Sequence, residues 1–393
     1  MNDLQKNIIK IIKSALIGEK YLLDADLDIG AVTKIAKKHQ IQAIVYYGAL
    51  NCGISNDLPE MQELFMKTCA LVSISAQQMH ELDELFKYFD ASKIEYMPLK
   101  GTVLKTLYPK SEMRTMSDAD ILIKTEQYDV IKPIMTELGY TETIESDHEL
   151  IWYKGKVTIE LHKRLIPSYN KDYYAYFGDG WRLAKPISDG STRYDMSNED
   201  KMIYLFTHYA KHYRDAGIGI KHIVDLWVYK RSINNLDEEY VLSELKKLQL
   251  DVFYKNTMST LDVWFEGKET DELVEFITGI IFNSGVYGTH EAHLLSDALK
   301  VTKQTGAVKK TRLKKALNLI FLPYVSMCKK YPILQKVAIL LPFMWVVRWF
   351  DVLLFRRENI KKNNDDFKKL STEKVIDYQK SLNFVGLDFN FKE

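Results

Sequence analysis

The chain has 393 residues, 46% of them hydrophobic, and 54 Lys+Arg against 53 Asp+Glu. That suffices for a substantial core spread over roughly two or three domains, and it excludes a disordered or low-complexity chain. Cys52, Cys69 and Cys328 lie far apart without C-x-x-C spacing, which excludes a disulfide framework and a thiolate zinc site and suits a reducing cytoplasm.

From the N-terminus, MNDLQKNIIKIIKSALIG carries charges inside its apolar pattern and has no small-residue cleavage site, so it reads as a helix and not as a secretion signal. Residues 1–90 are expected to form a helical region. Ile8, Ile9, Ile11, Ile12 and Leu16 repeat at helical spacing, as do Val32, Ile35 and Ala36, and a longer helical pattern runs from Leu58 to Phe89. The period then changes. Lys93 to Leu99 reads as a short strand ending in Lys100-Gly101-Thr102, where a glycine directly after a strand suits close approach of the backbone to a ligand.

Asp118 to Lys124 is the next expected strand, with Ala119, Ile121 and Ile123 alternating against Asp118, Asp120 and Leu122. A helix is expected from Glu126 to Leu138, closed by Gly139. Glu149–Tyr153 and Val157–His162 flank Lys154-Gly155-Lys156 as a hairpin. Ser197 and Asp200 form a capping-box pattern opening a helix through Tyr213, and further helices are expected over Ile220–Ser232, Asp237–Leu248 and Asp271–Phe282. The pattern predicts an α+β fold: a small mixed β-sheet core at 91–195, between the N-terminal helices, a helical domain at 196–299 and a basic helical region at 300–393.

Between Lys300 and Lys362 stand 15 Lys+Arg against Asp351 and Glu358, a local charge of +13 that leaves −12 elsewhere. A solvated face is the plainest reading of such a block, and at most weak, sequence-independent nucleic-acid binding is expected of it. The apolar stretch Ile333–Phe355 is broken by Lys336, Arg348 and Asp351; its longest uncharged run, 11 residues from Val337 to Val347, is too short for a transmembrane segment. For the Lys336–Arg357 region, with Trp345 and Trp349 beside Arg348, a buried, helix-packing segment is expected in preference to a membrane interface.

Asp118-Ala119-Asp120 is the sharpest chemical feature. Residues two apart on a strand share a face and lie roughly 6.6 Å apart along it, so both carboxylates can serve one metal site. On the later strand, Thr158, Glu160 and His162 share one face, which makes Glu160 a third carboxylate. Three converging carboxylates repel one another unless cations neutralise them, and hard oxygen donors favour Mg²⁺ or Mn²⁺.

Pro98-Leu99-Lys100-Gly101-Thr102, Arg114, Asp118-Ala119-Asp120-Ile121-Leu122-Ile123 and Ile159-Glu160-Leu161-His162 together resemble the DNA polymerase beta superfamily of nucleotidyltransferase folds, and within it a bacterial family of uncharacterised nucleotidyltransferases. His208-Tyr209-Ala210-Lys211-His212 and the Tyr331–Leu334 to Leu341-Pro342 segment extend the likeness over most of the chain. The resemblance implies that Gly101 and Thr102 hold an NTP and that Asp118, Asp120 and Glu160 are the catalytic, metal-binding residues; Lys100 and Arg114 are further candidates for holding its phosphates. Gly-Thr in place of Gly-Ser, and the 15 residues between Thr102 and Asp118, read as traits of the narrower family.

The expected activity is transfer of an NMP from an NTP, ATP by default of abundance, to an acceptor hydroxyl with release of pyrophosphate. The acceptor is left open among a small molecule, a saccharide, a protein and an RNA end. The alternatives are a non-catalytic protein of the same fold that binds RNA or a protein partner through its basic region, and a metal-dependent phosphodiesterase. Lys100 and Arg114 can equally form ordinary ion pairs. His208 and His212, four apart on a helix, lack the glutamate of H-E-x-x-H and read as packing or substrate-holding groups. Lys221, His222 and Asp225 fall near the start of a helix where a lysine can meet a triphosphate. His162 is expected to support acceptor deprotonation or to hydrogen-bond a metal-ligating carboxylate.

Overall fold

The computed structural model describes residues 1–146, 148–305, 321–322, 324–331, 333–355 and 371–388. It divides into two compact units, one comprising Met1–Tyr213, Ile218–Tyr287 and the stretch from Val385, the other Arg214–Gly217 and Gly288–Phe384. The fold is α+β, mostly helical, with one five-stranded mixed sheet between helical regions.

The first unit opens with helices α1 (Asp3–Ile17), α2 (Ile29–His39) and α3 (Gln42–Asn51). Asn2 and Gln5 form a reciprocal capping box that starts α1, and its isoleucines are buried against α3. The two helices approach so closely that a Cβ on Gly48 would sit 2.0 Å from the carbonyl oxygen of Ile11, so this position admits glycine alone. Helix α4 (Pro59–Ala91) then delivers Leu82, Leu85 and Phe89 to the back of the sheet.

The sheet comprises β1 (Tyr96–Pro98), β2 (Ala119–Ile123), β3 (Thr141–Glu145), β4 (Glu149–Lys154) and β5 (Val157–His162), in the order β1-β2-β5-β4-β3. Between β1 and β2 lies the short helix α5 (Lys100–Leu104), and between β2 and β3 lies α6 (Tyr128–Glu137). β2 runs parallel to β5 and every other neighbouring pair is antiparallel. Alternation sorts the two faces. Ala119, Ile121, Ile123, Leu150, Trp152, Ile159 and Leu161 pack with α4 and with Ile131, Ile134 and Met135 of α6 into one core, while Asp120, Glu160 and His162 fall on the opposite face.

Past the sheet come α7 (Lys171–Phe177), a two-stranded ribbon β6 (Lys185–Pro186) with β7 (Tyr194–Asp195), and α8 (Asn198–Ala216). Ser197 caps α8 by accepting the N–H of Asp200 at 3.0 Å. Helices α9 (Ile220–Ser232), α10 (Glu238–Lys247), α11 (Asp251–Leu261) and α12 (Glu272–Ser284) complete the helical part. Phe206, Tyr209, Phe253 and Tyr254 join α8 to α11 through stacked and edge-on rings.

His39 fixes where α9 begins. It is fully buried; its Nδ1 accepts the N–H of Ile220 at 3.2 Å and its Nε2 faces the carbonyl oxygen of Phe282 at 3.2 Å, so the ring is neutral. Burial pushes its pKa down from 6.5 to about 4. Protonation therefore favours the unfolded chain: this contribution to stability is whole above pH 6.5 and is lost as the pH falls toward 4. We expect a loss of about 2 kcal/mol between pH 6.5 and pH 5, measured by urea denaturation and absent in His39→Gln, which keeps a donor and an acceptor without a titration. Equal acid slopes for the two proteins would contradict this.

The second unit holds helices over His290–Thr305, Tyr324–Lys330, Ile333–Lys336, Leu341–Phe355 and Thr372–Phe384. Met327, Cys328 and Leu334 are buried there, and Trp345 donates its indole N–H to the carbonyl of Leu322 at 2.9 Å. Ile339, Phe343 and Phe350 are exposed, contrary to the expectation of a packed segment. Nine of the 15 Lys+Arg of the basic block lie outside the described residues. Among the described residues, no helix is long and apolar enough to cross a membrane.

Candidate active site

The polar face of the sheet is set by one pairing. β2 and β5 run parallel with Asp120 opposite Glu160 and Leu122 opposite His162, which brings two carboxylates and an imidazole onto adjacent strands. Oxygen or nitrogen atoms of Asp120, Glu160 and His162 all lie within 4.8 Å of one another. His162 Nε2 is 2.8 Å from Asp120 Oδ1 and 3.6 Å from Glu160 Oε2. Asp118 stands one residue before β2 and is half-buried.

The two aspartates titrate in opposite directions. Burial, then the charges of Asp120 and Glu160, push Asp118 up from 3.8 to about 6. Burial also disfavours the charged form of Asp120, yet Lys100 and His162 outweigh it and hold that carboxyl well below the usual range. Lys100 Nζ is 2.7 Å from Asp120 Oδ1. Asp118 is thus the group carrying excess negative charge, a condition that a cation relieves. The carboxylates of Asp120 and Glu160 suit a hard divalent ion on charge and chemistry, and Asp118 feels both of their charges without belonging to the group whose ligand atoms lie within 4.8 Å of one another.

Lys100-Gly101-Thr102 forms the strand-to-helix turn next to these groups. Lys100 opens α5 with a φ of +44°, a left-handed conformation that is costly for a side-chain-bearing residue and that directs its amine at Asp120. The backbone N–H of Leu99 and the hydroxyl of Thr102 both donate to the carbonyl of Asp120, at 2.9 and 3.4 Å. A Cβ on Gly101 would meet the end of Met116 at 3.3 Å and Arg114 Nη1 at 3.4 Å, tight contacts with movable groups.

Arg114 is buried and turned toward the helical part. Its Nε donates to both oxygens of Asp225 on α9, at 2.7 and 3.0 Å, and Asp225 also accepts the hydroxyl of Tyr108 at 2.7 Å. Lys221, one turn earlier on α9, is buried with its Nζ 3.5 Å from the carbonyl oxygen of Thr115. Burial and then Arg114 lower its pKa from 10.5 to about 7, and Asp118 pulls the other way. His208 and His212 meet through their Nε2 atoms at 3.1 Å. Burial drives His208 well below the ordinary range, with Lys100 the next cause.

Two features escape a reading of the sequence. Asp225 is the counter-charge of Arg114 from more than a hundred residues away, and no local pattern marks it. His148 and Glu149 join His162 in a second group whose ligand atoms lie within 4.8 Å of one another. Glu149 is opposite His162 in the β4–β5 ladder, a relation already implied by the two-residue Gly155-Lys156 turn.

A strand-Gly-Thr turn, paired strand carboxylates on a mixed sheet and a following helical bundle define a nucleotidyltransferase-type α+β protein. The chain matches the model of the family described as uncharacterised nucleotidyltransferase over residues 25–266, more than half its length, and belongs to that family. Among solved structures it is similar to the solution structure of the antibiotic-resistance factor ANT(2'')-Ia: 13% identity, 48% of this chain and 97% of that chain covered, TM-score 0.32. No curated protein matches the sequence.

Proposed function

We propose that the protein transfers an NMP from an NTP to an acceptor hydroxyl and releases pyrophosphate. The observation that carries this reading is the parallel pairing of Asp120 with Glu160, beside an Asp118 that burial and then its neighbours' negative charge hold up at about 6. Asp118, Asp120 and Glu160 would hold Mg²⁺ or Mn²⁺, and such ions, when bound, polarise the phosphoryl group and steady the charge on the departing oxygen.

The chain's own residues do the rest. Gly101 brings the backbone of the turn against the triphosphate, and the Thr102 hydroxyl would turn from the Asp120 carbonyl to donate to its edge. Lys221 contributes positive charge from the side of α9, while Arg114 props the loop that carries Thr115 to Asp118. Glu160 accepts the proton of the acceptor hydroxyl as its oxygen attacks the α-phosphorus in line; the bond to the bridging oxygen breaks and pyrophosphate leaves. Lys100 sets the position of Asp120. ATP remains the default donor on abundance.

Lys221 gives this reading a pH signature. With a pKa lowered to about 7, its amine is charged below that pH and neutral above it. NTP affinity is therefore expected to fall by about tenfold between pH 6.5 and pH 9, the worth of one charge-assisted contact, and to stay flat in Lys221→Met. Fluorescence titration with a labelled NTP checks it. A parent profile as flat as the variant's would remove Lys221 from the site.

The activity itself is tested by incubating the protein with Mg²⁺, a cell lysate and each NTP labelled either at the α- or at the γ-phosphate. The α-label should pass to an acceptor and the γ-label should appear in pyrophosphate, both abolished in Asp118→Asn. Release of free NMP without any labelled acceptor would favour hydrolysis instead.

A further inference from the structure

Beside the carboxylate centre lies a group of a different chemistry. His148, Glu149 and His162 offer ligand atoms within 4.8 Å of one another, on the turn before β4, the first residue of β4 and the last of β5. Two imidazoles and one carboxylate are not the hard oxygen set of Asp118, Asp120 and Glu160. They are the donor set of a borderline divalent ion of the zinc class, which takes three protein ligands and leaves a fourth position for water.

The protonation pattern of His162 supplies the independent observation. Its Nε2 is 2.8 Å from Asp120 Oδ1, so Nε2 carries the hydrogen that this carboxylate accepts. Nδ1 is the ring's other polar atom. His162 is 3% exposed, and among the described residues its Nδ1 is buried without a hydrogen-bond partner. A buried imidazole nitrogen with no partner is costly unless something binds there. A carboxylate accepting from one imidazole nitrogen while the other binds a metal is the arrangement that fixes the tautomer and orientation of a ligating histidine.

The other two side chains agree with that geometry. Glu149 faces His162 across the antiparallel ladder, and the two rings of His148 and His162 lie 6.0 Å apart between centroids. His148 Nε2 is 2.9 Å from Glu149 Oε2, a separation that two ligands of one small ion also adopt. His148 Nδ1 is 3.4 Å from the hydroxyl of Ser146, which holds the ring by its far side. We propose that His148, Glu149 and His162 form a zinc-class cation site, distinct from the Asp118–Asp120–Glu160 centre and joined to it through the His162 ring. A cation there locks His162 in the tautomer that donates to Asp120, and so fixes the position of that carboxylate.

The test uses the full chain stripped of metal by chelation, with Mg²⁺ in excess throughout to saturate hard-oxygen sites. Co²⁺ is the spectroscopic probe and Zn²⁺ the competitor. One equivalent of Co²⁺ should develop visible absorption of low-coordinate character, bleached by one equivalent of Zn²⁺. Glu149→Gln and His148→Ala should each weaken Zn²⁺ binding by at least about 100-fold, more than loss of an outer-sphere partner costs, with circular dichroism unchanged. Asp118→Asn, on the neighbouring centre, should bind Zn²⁺ like the parent, and His148→Ala should retain NTP binding with Mg²⁺. Parental Zn²⁺ affinity in folded His148→Ala and Glu149→Gln, or no Co²⁺ absorption in the parent, overturns the site. Either result leaves nucleotidyl transfer, which is read by the α-label, standing.

Discussion

Asp118→Asn is expected to stabilise the metal-free protein and Asp120→Asn to destabilise it, although both abolish nucleotidyl transfer. The Asp118 carboxyl is held up at about 6 by burial and by two neighbouring carboxylates, so its ionised form is disfavoured in the fold. Against an ordinary value of 3.8, and with solvent screening of a half-buried group, that ionisation costs on the order of 2 kcal/mol at pH 8. The sign follows from the raised value: the cost is full above pH 6, fades as the pH falls toward 4, and disappears in the asparagine variant. Asp120 is the opposite case. Its charge is held by the half-buried Lys100 at 2.7 Å and the buried His162 at 2.8 Å, and its removal leaves an ammonium without its counter-charge. Breaking a buried pair from one side costs about 3 to 5 kcal/mol. Urea denaturation in chelator at pH 8 separates the two. Equal destabilisation by both variants would mean that the aspartates share one structural role and that Asp118 carries no excess charge.

The second large effect lies at the junction of sheet and helices within the first unit. Arg114 and Asp225 are buried and joined through two N–H···O contacts, with Tyr108 donating to the same carboxylate. Asp225→Leu leaves the buried guanidinium without its counter-charge and its Nε and the Tyr108 hydroxyl without an acceptor, and should cost about 3 to 5 kcal/mol. Arg114→Met should cost a similar amount by stranding the carboxylate. The double variant removes both charges and should lose far less than the sum, because most of each single loss is the penalty of the stranded partner. A double-mutant cycle in urea measures this coupling. If the losses simply add, the pair is not the clasp between α9 and the loop leading to Asp118. Binding of NTP to the double variant then reads the separate contribution of the Arg114 side chain to the triphosphate.

Much of this fold is legible in local patterns, because its signals are short-ranged. The change from helical to alternating period near Lys93, the capping box at Ser197 and the turn at Gly155-Lys156 each concern neighbouring residues, and β1, α8 and the β4–β5 hairpin form at those places. α9 spans Ile220–Ser232, as its apolar spacing predicts. β3 is missed: Thr141-Glu142-Thr143-Ile144-Glu145 holds one large apolar residue, because it is an edge strand whose order comes from β4. α11 is missed as well, since Asp251–Leu261 mixes Ser, Thr and Asn with its apolar residues and is ordered by aromatic packing on α8.

The candidate site divides the same way. That Asp118 and Asp120 share a face of their strand, and Glu160 and His162 a face of theirs, follows from period two alone. Which strands are neighbours does not: the parallel β2–β5 pairing joins segments some forty residues apart and depends on the crossover through α6 and β3. The partnership of Lys100 with Asp120 is equally invisible in sequence. It rests on a left-handed backbone at a lysine, which no propensity favours.

The central claim is that Asp118, Asp120 and Glu160 act as one divalent-cation centre serving an NTP. Calorimetric titration of Mn²⁺ into the protein in the presence of a non-hydrolysable NTP, for the parent, Asp118→Asn and Glu160→Gln, tests it most directly. Mn²⁺ should bind the parent and bind at least about tenfold more weakly to each folded single variant, as loss of one charged oxygen ligand requires. Mn²⁺ binding of parental strength in both variants would contradict the claim.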